Sequence, residues 1–118
     1  VCLLPLTDGT RGILCQTLFD QLPRGATVIN VGRGGHLVQD DLLRALNAGQ
    51  LGNAVLDVCE PEPLPPDHPF WTHPQVVLTP HIASMTQPET AVDAVIENLS
   101  RYRQGLPMVG LVDRTLGY

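Results

Sequence analysis

The chain has 118 residues, 43% hydrophobic and only 16% charged, a balance that supports a buried core and excludes a disordered segment. Formal net charge is −5 with a pI near 5.1, and the seven basic residues are scattered. That pattern offers no basic face for nucleic acid, and no apolar run reaches the roughly 18–20 residues of a membrane span, so neither partner is expected.

In chain order, the apolar run Val1-Cys2-Leu3-Leu4 reads as a first strand. Leu14, Leu18, Phe19 and Leu22 then recur at helical spacing, and residues 27–31 (Thr-Val-Ile-Asn-Val) read as a second strand. A second helix carries Leu42, Leu43 and Leu46, with Asp40 and Asp41 near its start and Gly49 just past its end, as dipole and C-cap preferences require. Residues 53–58 form a third strand. Residues 60–69 hold five prolines and cannot be a helix; punctuated by Leu64 and followed by Phe70 and Trp71, they read as an ordered loop strapped across the surface. Residues 76–79 form a fourth strand. The last helix spans 88–104, with Thr86-Gln87-Pro88-Glu89 as a capping-box start and Gly105 as its stop. Residues 106–118 show no usable period.

The strand runs are nearly continuous in apolar residues, as strands covered on both faces are, and helical patterns alternate with them. Both features predict βαβ units and an α/β fold with a parallel sheet. Three cysteines, Cys2, Cys15 and Cys59, lack CxxC spacing and read as buried small hydrophobes in a reducing compartment, so a cytoplasmic location is expected. The opening at Val1, inside an apolar run and without an initiator Met, reads as a piece of something longer.

Ligands of an open parallel sheet bind outside the carboxyl ends of its strands. The polar residues following each run are therefore candidates: Thr7 and Asp8 after the first, Gly32-Arg33-Gly34-Gly35-His36 after the second, Asp57 and then Glu62 after the third, and Pro80-His81 after the fourth. An arginine, two carboxylates and a histidine should converge on one edge. Arg33 between glycines offers a guanidinium fork for a carboxylate, and the glycines would let a ligand come close. Glu62 beside His81 would hold the imidazolium, while Asp57 at a strand end could accept hydrogen bonds from a cofactor amide or ribose. His36, His68 and His73 read as structural or solvated, Cys59 as packing, and no metal site is expected. Neither GxGxxG nor a P-loop pattern occurs anywhere in the chain.

Three blocks resemble the D-isomer-specific 2-hydroxyacid dehydrogenases: Val28-Ile29-Asn30-Val31-Gly32-Arg33-Gly34, Leu56-Asp57-Val58-Cys59-Glu60-Pro61-Glu62-Pro63-Leu64-Pro65, and Leu78-Thr79-Pro80-His81-Ile82-Ala83. Pro63-Leu64-Pro65-Pro66 with Phe70-Trp71, and the ending Val112-Asp113-Arg114-Thr115-Leu116-Gly117-Tyr118, are similar to the glyoxylate/hydroxypyruvate reductase branch of that family. The resemblance implies reduction of a 2-keto acid by hydride from NAD or NADP in reduced form, with NADPH suggested by the branch. Arg33 would clamp the substrate's carboxylate and carbonyl, His81 would donate the proton, and Glu62 would orient the imidazole. Asp57 would bind near the nicotinamide, with Thr7, Gly32 and Arg33 lining the cofactor cleft.

It further implies that residues 1–85 are the second half of a Rossmann-type NAD(P)-binding domain and that residues 86–118 are a helix and tail returning toward a substrate domain. The rest of such an enzyme, which would act as a homodimer, lies outside these residues. Alone, the chain is expected to bind dinucleotide weakly, to catalyse little and to self-associate through its open sheet edge and helix face. The alternative is a non-catalytic, NAD(H)-sensing module of the same fold, similar to the family's corepressors.

Overall fold

The computed structural model describes every residue from Val1 to Tyr118. Three strands, β1 (Ala26–Asn30), β2 (Leu51–Leu56) and β3 (Val76–Leu78), pair in that order and all in parallel. Asn30 sits opposite Leu56, and Leu56 opposite Leu78, so the three strands finish level on one edge. That shared edge is where the candidate residues emerge.

The expected first strand is reduced to one pairing, between Cys2 and Asn30. Cys2 N–H donates to the Ile29 carbonyl at 2.8 Å and its own carbonyl accepts from Val31 N–H at 3.2 Å, but Leu3 and Leu4 are exposed and unpaired. Pro5, which has no N–H, ends the run before a ladder can extend. β2 begins at Leu51, two residues before the expected strand. Gly52 makes this possible: a Cβ there would stand 2.5 Å from the Gly25 carbonyl oxygen, so only glycine lets the two chains approach.

Helix α1 is a single turn, Gln16–Phe19, shorter than the apolar spacing from Leu14 to Leu22 predicts. The Gln50 side chain takes the Phe19 and Leu22 carbonyls at 2.8 and 2.9 Å, and Pro23 removes the next donor, so the helix cannot propagate. Helix α2 (Gln39–Asn47) carries β1 across to β2, with Asp40 and Asp41 in its first turn and Gly49 at φ +67° beyond its end. Its Asp41 carboxylate also accepts the Gln16 N–H at 2.8 Å, tying α1 to α2.

Between β2 and β3 the proline-rich loop replaces a crossover helix and closes in a 3₁₀ turn, Pro69–Trp71. Leu64 and Phe70 are buried from this segment, and Trp71 Nε1–H donates to the Pro65 carbonyl at 2.8 Å, so the loop is ordered. Phe19, Leu42, Leu46, Leu51, Leu56 and Phe70 meet in one core cluster.

The chain divides into two compact units, Val1–Ala83 and Ser84–Tyr118. Helix α3 (Pro88–Arg103) dominates the second, and Gly105 at φ +67° follows it. The capping box expected from Thr86 does not form. Pro88 forces the preceding residue to be extended, which makes Gln87 the N-cap and leaves Thr86 one position too early. The tail folds back on α3: Asn98 exchanges hydrogen bonds with Val109 at 3.0 and 2.8 Å. No helix is long and apolar enough to cross a membrane.

Candidate active site

Asp57 leaves the end of β2 and is 3% exposed. Its backbone N–H donates to the Asn30 carbonyl at 3.0 Å, continuing the β1–β2 ladder by one step. Its carboxylate is turned toward the loop after β3: Oδ1 accepts from Thr79 Oγ1 and from Ile82 N–H at 2.9 Å, and Oδ2 accepts from Ala83 N–H at 2.9 Å. Burial by itself would raise the Asp57 pKa, but these three donors and the neighbouring His81 charge outweigh it and hold the carboxyl below its ordinary value.

Between those donors sits His81, with φ 55°, the only non-glycine residue at positive φ. The left-handed region brings Cβ close to the backbone and costs about 1–3 kcal/mol, which persists only where surroundings over-determine it. Here they do: Pro80 fixes the preceding φ, His81 N–H donates to the Thr79 carbonyl at 3.0 Å, and Asp57 grips the next two amides. The result aims the imidazole at Glu62, with Nδ1 and Oε1 2.8 Å apart. A carboxylate acceptor places the proton on Nδ1, leaving Nε2 without a protein partner and free to hold or release one. The two side chains are 47% and 43% exposed, so the pair is open to ligand and adds little to stability.

An open cavity of about 350 Å³ adjoins this pair, walled by Leu64, Trp71, Leu78 and Pro80 with Asp57, Glu62 and His81 on its polar side. Its size is that of a small-ligand site. Cys59 also lines it; burial first and the Glu62 charge second push its thiol pKa up, so it is a packing group and not a nucleophile.

The remaining candidates gather separately. Arg33 does not line the cavity. Its Nη1 donates to the Gly32 carbonyl at 2.8 Å, and the guanidinium is exposed. Arg33 thus stands on the same strand-end edge as Glu62 and His81 but outside this cavity. Sheet order explains it: Arg33 follows β1, which β2 separates from β3, so its loop starts roughly 10 Å from that of His81. Thr7 lies in a tight turn with Thr10, its N–H donating to Thr10 Oγ1 at 2.8 Å, on the Arg33 side of the edge. The loop carrying Arg33 and the Pro5 segment are joined by His36, which is fully buried. With Nε2 3.2 Å from the Pro5 carbonyl, that nitrogen must donate, and Nδ1 then accepts Arg33 N–H at 3.1 Å. His68 and His73 accept Phe70 and Gln75 N–H in the same local way, each at 3.2 Å.

Packing alone already requires the glycines flanking Arg33. A Cβ on Gly34 would lie 2.0 Å from the Cys59 carbonyl oxygen, and one on Gly32 would press the His36 ring at 3.1 Å. Two residues went unrecognised in the sequence. Asn30, fully buried, holds Gly32 N–H at 3.2 Å and the Arg33 carbonyl at 3.0 Å, and Thr79 donates to Asp57. The available signal was a polar residue closing an apolar strand run.

Residues 1–83 match the family model described as D-isomer specific 2-hydroxyacid dehydrogenase, NAD binding domain. Glyoxylate/hydroxypyruvate reductase A of Yersinia enterocolitica is 54% identical over 116 residues, and that of Serratia proteamaculans 53%; each alignment takes 98% of this chain and 37% of the relative. The chain thus spans 37% of the length of these curated relatives. Among solved structures, a D-isomer specific 2-hydroxyacid dehydrogenase from Xanthobacter autotrophicus Py2 in complex with NADPH and MES superposes with a TM-score of 0.93 at 43% identity, covering 98% of this chain and 48% of that one. The NADPH-dependent glyoxylate/hydroxypyruvate reductase of Sinorhizobium meliloti, in complex with NADP and sulfate, gives 0.89 at 45% identity over 98% of this chain and 38% of that one. Matched from its first residue to the close of its first unit, the chain belongs to the D-isomer specific 2-hydroxyacid dehydrogenase family.

Proposed function

We propose that these residues are the C-terminal portion of an NAD(P)-dependent reductase converting a 2-keto acid of the glyoxylate or hydroxypyruvate type to the D-2-hydroxy acid. On this reading Val1–Ala83 is the second half of the dinucleotide-binding domain, and Ser84–Tyr118 returns toward a substrate domain. The observation that carries the reading is the Glu62–His81 pair at 2.8 Å, with His81 Nε2 free, on the strand-end edge of a parallel sheet.

The strand-end edge suits a nicotinamide: Asp57 Oδ2 accepts one hydrogen bond and keeps an acceptor position for an amide, and Gly32, Arg33 and Thr7 lie along the same edge. The reduced cofactor, when bound, supplies the hydride to the carbonyl carbon. His81 gives the proton to the carbonyl oxygen, so the ketone gains one hydride and one proton and becomes the alcohol. Glu62 accepts the Nδ1–H hydrogen bond and fixes the ring plane. Arg33 supplies the bidentate fork for the substrate carboxylate, its guanidinium swinging from the Gly32 carbonyl to the anion. NADPH is the favoured form, because the Sinorhizobium relative is NADPH-dependent and 45% identical.

The test is turnover of glyoxylate and hydroxypyruvate by the full-length protein, followed by cofactor absorbance, in wild type and His81→Ala. Loss of rate by about 10²–10⁴ is expected for removal of a general acid. A near-normal rate in the variant would remove His81 from the reaction. Normal cofactor binding without turnover of any 2-keto acid would assign the non-catalytic sensing role instead.

A further inference from the structure

We propose that Thr79 is a positioning residue for His81, acting through Asp57 as a clamp on the loop after β3; its catalytic consequence rests on His81 being the proton donor. The argument begins with what the Glu62–His81 contact cannot do. Both side chains are about half exposed and joined by a single hydrogen bond, so the pair alone leaves the imidazole free to sample other rotamers and other backbone directions. The ring's starting point must be set by the backbone, and the backbone of His81 is in the left-handed region, φ 55°, which side chains with a Cβ rarely occupy.

Three donors hold it there, and they flank His81 on both sides: the Thr79 hydroxyl two residues before, and the Ile82 and Ala83 amides just after. All three end on the Asp57 carboxylate. The Asp57 backbone is itself anchored, the residue being 3% exposed with its N–H on the Asn30 carbonyl at 3.0 Å. The Thr79 contact is the one made by a side chain, and hence the one the residue type decides. It orients Oδ1, which Ile82 N–H shares at 2.9 Å. Without the hydroxyl, the carboxylate can rotate about its terminal torsion, and the two amides lose their aligned acceptors.

Two variants of the full-length protein, Thr79→Val and Thr79→Ser, test the clamp. Valine keeps the β-branched shape and deletes the donor; serine restores the donor. With wild type active, Thr79→Val should lower kcat about tenfold, the factor one hydrogen bond's order of free energy represents, with KM for keto acid within about twofold. Thr79→Ser should recover kcat to within about twofold of wild type, and amide exchange at Ile82 and Ala83 should quicken in the valine variant only. An unchanged kcat in Thr79→Val, or a serine variant as impaired as valine, overturns the proposal. A change confined to cofactor KM also overturns it, since that outcome makes the group a cofactor contact. Should wild type reduce no 2-keto acid, the function proposed above fails on its own, and exchange at Ile82 and Ala83 still decides: faster in Thr79→Val supports the clamp, unchanged overturns it.

Discussion

In Val1–Ala83 the large apolar side chains turn inward, with Phe19, Leu42, Leu51, Leu56 and Phe70 all at or below 1% exposure. In Ser84–Tyr118 a comparable supply of apolar residues stays in solvent: α3 buries nothing, and Val92, Val95, Ile96, Leu99 and Tyr102 are all exposed. Those five recur at helical spacing along one stripe, the pattern of a helix meant to be covered. The difference lies in what each apolar surface finds. A parallel sheet with a helix and a strapped loop closes on itself, whereas a single helix with a short tail has too little surface to bury its own stripe. Secondary structure is set by local pattern in both units; burial needs a partner surface, which only the first unit supplies from its own residues.

That contrast can be tested by substitution. Phe70→Ala should cost about 3–5 kcal/mol in denaturant unfolding of the chain, because it empties a site at 1% exposure beneath the proline-rich loop. A cost below about 1 kcal/mol would mean the loop is not part of the core. Gly34→Ala should cost about 1–3 kcal/mol, since its Cβ would meet the Cys59 carbonyl at 2.0 Å and backbone must move on one side or the other. The same substitution at exposed Gly110 meets no neighbour and reports only the strain of its own φ of +71°.

Acid provides a third probe. The folded-state pKa of Asp57 lies below the ordinary 3.8, so its contribution is fully present above that value and is lost as pH falls through the lower, folded one. Exchange protection of the Ile82 and Ala83 amides should therefore hold at about pH 5 and fade on strong acidification before that of core amides such as Ala54. Uniform loss across the first unit would show that the loop is not held separately by Asp57. Last and smallest, Leu99→Ala on the open stripe of α3 should shift the stability of the chain by no more than about 0.5 kcal/mol, because Leu99 is already 53% exposed. A cost near that of Phe70→Ala would abolish the distinction between the two units.

The chain's own order of residues determined a good deal. Continuous apolar runs marked parallel strands, although β3 is not covered on both faces and Val77 is exposed. Asp40 and Asp41 with Gly49 bounded α2, Gly105 ended α3, and five prolines kept residues 60–69 out of any helix. The meeting of Glu62 with His81 was also legible, because polar residues after parallel strands must emerge at one edge. What the tertiary structure alone decided is how those emerging residues are divided and held. Sheet order set Arg33 apart from His81; the close approach of Cys59 made Gly34 a packing glycine; Asp57 became the anchor of three donors 22 to 26 positions away. Periodicity and propensity act over a few residues, so they fix the element and its face. Contacts between loops depend on strand order, register and the side-chain volumes between them, and those quantities exist only once the sheet has assembled.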